Sequence, residues 1–152
     1  MDDGTFEQEE TGVEINGIIW ATRNVGRPNT FVIGSEDYGN YYTWDEAKNV
    51  CPTDWRLPNG EELRILYDAG SEWKTINGVN GRIFGSGDNT IFLPAAGKYW
   101  YGEHVECKLS GSYWSSSPIE GWAFELYFTE GNASSYAGVR NDRQSVRCVK
   151  EK

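Results

Sequence analysis

Three features of the sequence predict an α+β domain. Two short helices, each with its own caps, are encoded between residues 42 and 70. Extended runs with the two-residue period of half-buried strands dominate the second half of the chain. Glycine is abundant at 18 of 152 residues and aromatic side chains reach 14%, a composition that favours many short elements joined by turns over long helices. The expected architecture is a single domain of two short helices packed on antiparallel sheet with long irregular loops.

Each element has a local reason. Val13-Glu14-Ile15 and Ile18-Ile19-Trp20 flank Asn16-Gly17, the strongest two-residue hairpin signal. Residues 21–39 read as loop with a short extended piece at Phe31-Val32-Ile33. Thr43 and Glu46 form a capping box that opens the first helix, which Pro52 ends. Asn59 and Glu62 repeat that signal after Pro58. Leu63, Leu66 and Tyr67 then share one helical face, and Gly70 can close the helix in a left-handed conformation. The glycine- and asparagine-rich stretch from Ser71 to Thr90 reads as a long irregular excursion, and Tyr99 to Ser110 as a second loop. Strands are expected at Thr90–Pro94, Ser112–Ser115, Trp122–Phe128, Ala133–Val139 and Ser145–Val149. Residues 1–10 read as an acidic tail or linker, and 11–152 as one domain.

The net charge of −9 is unevenly placed. Asp2, Asp3, Glu7, Glu9, Glu10 and Glu14 bring six negative charges before the first Lys or Arg, which leaves −3 for the rest. An acidic chain with no long basic stripe is a poor partner for nucleic acid or sulfated polysaccharide. No apolar run approaches the ~18 residues of a membrane-spanning helix. No signal peptide opens the sequence, although Met1-Asp2-Asp3 is compatible with a start placed after a removed leader. Of three cysteines, Cys51 follows the first helix and Cys148 sits in the expected last strand. Either these two pair, leaving Cys107 over, or all three are reduced and buried.

Tyr42 to Leu66, Leu93-Pro-Ala-Ala-Gly97, Tyr113-Trp-Ser-Ser-Ser117 and Val146-Arg-Cys-Val149 occur in an order that resembles the Fibrobacter succinogenes major paralogous domain of bacterial surface proteins. The chain is similar also to the Lcl-type domain that ends a collagen-like bacterial adhesin. The likeness covers roughly residues 11 to 150. It implies a C-type-lectin-like fold in which the first helix is tied to the last strand, in agreement with a Cys51–Cys148 disulfide. It also implies an extracytoplasmic protein, secreted or lipoprotein-anchored at the cell surface. The calcium-binding motifs of such lectins are missing: there is no Glu-Pro-Asn or Gln-Pro-Asp, and Arg140-Asn141-Asp142 keeps only part of the second motif. Calcium takes six to eight oxygens, so no metal is expected.

Enzyme chemistry has little to stand on. His104, the sole histidine, shares a loop with Glu103, Glu106 and Cys107 but matches no tight zinc spacing. Ser115, Ser116 and Ser117 lack a nucleophile-elbow pattern, and Gly85-Ser86-Gly87 lacks the lysine of a phosphate loop. The expectation is a non-enzymatic recognition module without cofactor, a monomer or weak oligomer, that binds glycan or a host or neighbouring-cell protein. Trp20, Trp44, Trp55 and Trp114 are assigned to packing. Trp100, Trp122, Tyr136, Arg140, Asn141 and Asp142 are the expected binding face, with rings and polar groups carried on loops. Two other readings keep the same chain. One is the displayed variable protein of a diversity-generating retroelement, on the composition of Ser134, Ser135, Tyr136, Asn141, Asp142 and Ser145. The other is a surface-assembly or pilus-tip domain whose strand edges pair with neighbours.

Overall fold

A computed structural model describes residues 9–150. Both capping boxes form. Thr43 and Glu46 cap α1 (Trp44–Ala47), and Asn59 and Glu62 cap α2 (Gly60–Asp68), with Gly70 at φ +100° just beyond its end. Glu62 also holds Arg56 through two contacts of 2.8 and 2.7 Å, so its carboxylate joins the helix start to the preceding strand. Leu63 and Leu66 are buried as the helical period requires.

The rest is β-structure, and here the expected fold class is corrected. Among the described residues strands far outweigh helices, so the domain is mostly β rather than α+β, with the two short helices set among several small antiparallel sheets. Among the described residues there are four small antiparallel sheets. β1 (Val13–Ile15), β2 (Ile18–Trp20), β12 (Val149–Lys150) and β3 (Trp55–Arg56) form one, in the order β1-β2-β12-β3. β4 (Ser71–Ile76), β5 (Val79–Ser86) and β6 (Asn89–Pro94) form a three-stranded meander. β9 (Ser110–Ile119), β10 (Trp122–Thr129) and β11 (Ala133–Val139) form another, and β7 (Lys98–Trp100) with β8 (Glu103–Val105) makes a hairpin.

The excursion expected over Ser71 to Thr90 is therefore a sheet, for two reasons. Ile76-Asn77-Gly78-Val79 repeats the Asn-Gly turn of Ile15-Asn16-Gly17-Ile18. Asn77 and Gly78 take φ +51° and +83°, the type I′ geometry that matches strand twist. Gly81 lies inside β5, where a Cβ would meet Leu93 O at 2.4 Å. That glycine marks close backbone approach, not a loop. Tyr99 to Ser110 is likewise ordered, as the β7–β8 hairpin. The closing strand is shorter than expected: only Val149 and Lys150 pair in a ladder, while Arg143, Gln144 and Ser145 make single bridges to Tyr99, Tyr42 and Tyr113.

Two apolar clusters fill the interior. One gathers Ile15, Trp20, Leu63, Leu66, Phe84, Leu93, Tyr113, Leu126 and Phe128. The other gathers Val25, Tyr42, Trp44, Leu57, Trp114, Val146 and Cys148. Cys51 and Cys148 are disulfide-bonded across a separation of 97 residues, and Cys107 is a free, half-buried thiol. Of the expected acidic tail, residues 1–8 lie outside the described ones. Glu10 is buried, accepting from Thr22 Oγ1 at 2.9 Å and pairing with Arg23 Nε at 3.0 Å.

Candidate functional site

The β7–β8 hairpin ends in Tyr101-Gly102 at φ +50° and +80°, again a type I′ turn, and this projects its aromatic residues outward. Trp100 is 48% exposed and Tyr101 87% exposed, with ring centroids 4.7 Å apart at 78°. Beneath them Tyr99 stacks on His104 at 4.7 Å and 5°, and Tyr41 packs edge-on against both. His104 Nε2 and Tyr41 Oη each lie 2.8 Å from Ala96 O. A carbonyl only accepts, so Nε2 carries the imidazole proton. The aromatic hairpin is thus fixed from below.

The chain that leaves β11 forms the opposite wall. Asp142 N donates to Val139 O at 2.9 Å, turning the backbone, and Arg143 and Tyr99 exchange backbone bonds of 3.0 and 2.8 Å. That exchange joins the two walls. Between them lies a cleft of about 410 Å³ lined by Tyr99, Trp100, Tyr101, Gly102, Val139, Asn141, Asp142 and Arg143. Asn141 is exposed, whereas Asp142 is 4% exposed and its carboxylate accepts from Lys98 Nζ at 2.9 Å. Arg143 reaches Glu46 of the α1 capping box at 2.9 Å. Apolar rings with a few fixed polar groups form the usual composition of a small-ligand cleft.

The six expected binding residues do not form one surface. Trp100, Asn141 and Asp142 meet in the cleft. Arg140 is committed to packing: its guanidinium lies 4.2 Å over the Trp44 ring and its Nε donates to Trp122 O at 3.0 Å. Tyr136 packs edge-on against Tyr127 at 5.5 Å, on the strand position opposite Glu125. Trp122 pairs with Val139, three positions along β11 from Tyr136. Side chains alternate along a strand, so Trp122 and Tyr136 face opposite sides of the sheet. Trp100, Trp122 and Tyr136, expected on loops, stand on strands β7, β10 and β11. Tyr99, Tyr101, Val139 and Arg143 were not among the expected site residues. Their signal was Gly102 between two short β-rich runs.

Behind the cleft a polar cluster is buried. Gln144 Nε2 donates to Glu125, and Gly138 allows β11 to lie over them, since a Cβ there would come 2.9 Å from Trp114. Burial pushes Glu125 up to about 6, with Lys98 and the Gln144 bond opposing the rise. The folded protein therefore binds this proton more tightly than the unfolded chain, whose carboxyl titrates near 4.5. Stability from that proton is fully present below 4.5 and lost as pH rises through about 6, a loss of ~2 kcal/mol. Glu125→Gln should match the wild type in urea unfolding at pH 4 and exceed it by ~2 kcal/mol at pH 7.5. A pH-independent difference would show that Glu125 is not protonated in the fold.

The sequence as a whole carries one further mark. The family model described as the Lcl C-terminal domain matches residues 14–150. The chain belongs to the Lcl C-terminal domain family. No curated protein and no solved structure matches it, so the lectin-like fold and the Fibrobacter-type kinship that the resemblance implied gain no support. The matched region runs from within β1 to the end of β12, and both walls of the aromatic cleft lie inside it. Among the described residues no helix is long and apolar enough to cross a membrane, and no three His, Cys, Asp or Glu side chains converge.

Proposed function

We propose that this Lcl-type domain is a non-enzymatic, extracytoplasmic recognition module that takes a glycan in the cleft between the β7–β8 hairpin and residues 139–143. The observation that carries the reading is the pairing of Trp100 and Tyr101, two exposed rings held at the mouth of a cleft whose floor is polar. A sugar ring presents an apolar face of C–H groups and an equatorial rim of hydroxyls. Aromatic faces match the first and Asn141 with the backbone of 139–142 matches the second. Family membership supports a surface-associated, adhesin-like role, and the Cys51–Cys148 disulfide supports an oxidising compartment. Asp142 is already engaged by Lys98, so the reading needs neither calcium nor a cofactor.

A glycan array on the purified domain, run with calcium and then with chelator, is the first test. Binding should survive the chelator. Trp100→Ala and Tyr101→Ala should each abolish it while changing stability by less than about 1 kcal/mol, the usual scale for exposed residues. Tyr136→Ala, outside the cleft, should bind as the wild type does. Binding abolished by chelator, or lost in Tyr136→Ala but kept in Trp100→Ala, would sink the assignment.

A further inference from the structure

β11 is a sheet edge of unusual character. It ends the β11-β10-β9 sheet, and among the described residues none of the backbone groups of 133–138 bonds to any element but β10. Its seven residues, Ala-Ser-Ser-Tyr-Ala-Gly-Val, include neither charge nor proline, and six of the seven are exposed or half-buried. Folded proteins protect such edges with charges, prolines or short length. The other edges show those devices: β4 carries Glu72 and Lys74, β6 ends in Pro94, β9 carries Pro118, and β1, β3, β7 and β8 are only two or three residues long. β11 lacks all of them.

A second feature lies beside that edge. A groove of about 260 Å³ runs between α2 and the sheet, lined by Gly60, Arg64, Tyr67, Ser117, Phe124 and Ser135. Ser135 belongs to β11, so a residue of an added strand standing next to it would reach this groove. Residues on alternate positions would meet Tyr136, which is 48% exposed on the other face.

We propose that the outer edge of β11 is a docking site for an extended segment of another protein chain, added as a further strand. The unpaired backbone supplies the hydrogen bonds, and the groove and Tyr136 select the alternating side chains. The charge around the site selects a basic or uncharged segment. Arg64 is held between Glu61 and Asp68, which leaves that helix face negative, and the whole chain carries −9. Pairing with a second copy of the chain would bring two such bodies together.

The probe is a fluorescein-labelled nine-residue peptide of alternating Thr and Val with Lys at each end. Its control is the same peptide with alternate backbone amides N-methylated, which keeps the charge and removes the donors. The parent peptide should bind and slow amide exchange across residues 133–139, and the methylated one should not. Ser135→Lys, which fills the groove and repels the peptide, should weaken binding at least about fivefold with an unchanged melting temperature. Equal binding of both peptides, or no binding at millimolar concentration, would overturn the proposal. Amide protection in β11 that rises with protein concentration without peptide would overturn it also, by assigning the edge to a second copy. None of these results bears on the aromatic cleft.

Discussion

Reduction of the Cys51–Cys148 disulfide should lower the unfolding free energy by roughly 4–5 kcal/mol, because the bond closes a loop of 97 residues. In the chain-entropy account a cross-link restricts the unfolded chain, and the effect grows with the logarithm of loop length. The bond here spans most of the domain. It joins the segment after α1 to the residue just before β12, the strand that β2 and β3 hold between them, so the unfolded chain loses much of its freedom. Domains of this size are stable by only ~5–15 kcal/mol, so the loss is a large fraction of the total. Urea unfolding of the wild type and of the Cys51→Ala/Cys148→Ala double variant, both with Cys107 kept reduced, measures it. A difference below about 1 kcal/mol would mean that the reduced chain retains the same loop closure by other contacts.

Arg147→Ala should cost at least about 3 kcal/mol, although among the described residues no carboxylate forms an ion pair with this arginine. Arg147 is 1% exposed, and its guanidinium donates to Asn24 Oδ1 at 2.7 Å, Ala21 O at 3.1 Å and Phe92 O at 2.9 Å. These acceptors belong to two segments, so one planar fork ties the chain after β2 and strand β6 to the last segment, which carries Arg147 itself. Burial depresses its pKa to about 10, which still leaves it charged at neutral pH. Removing the side chain relieves that desolvation, but it orphans three buried acceptors at ~1–3 kcal/mol each and leaves a cavity. Arg143→Ala is the control. Arg143 is half exposed and pairs with an equally exposed Glu46, so its loss should change stability by less than about 1 kcal/mol. Similar effects from the two substitutions would show that the buried network carries little of the stability.

What could be read in advance follows from how local each signal is. The capping boxes at Thr43 and Asn59, the Asn16-Gly17 hairpin and the alternation of Trp122–Phe128 depend on residues within four positions of each other, and each formed as its sequence implies. The fold class failed where glycine was read only as a loop former. In β5 Gly81 answers to a carbonyl on the neighbouring strand, a contact that no local window contains. Glu10 failed in the same way, because Thr22 and Arg23 capture it from across a hairpin. At the site, Trp100, Asn141 and Asp142 were legible as ring and polar groups near one another in kind. Their convergence depends on the Tyr99–Arg143 backbone exchange, which brings together positions 44 apart. Trp122 and Tyr136 looked equivalent by composition, and strand register separated them.

The cleft itself is tested most directly by following the Trp100 indole N–H and the amides of 99–102 and 139–143 by NMR during titration with an oligosaccharide from the array. Shifts should be confined to those resonances and saturate together, with the Trp55 indole unmoved. Shifts centred on Trp55 and Lys150, which line a separate cleft near the disulfide, or no shift at Trp100 at saturating ligand, would contradict the assignment.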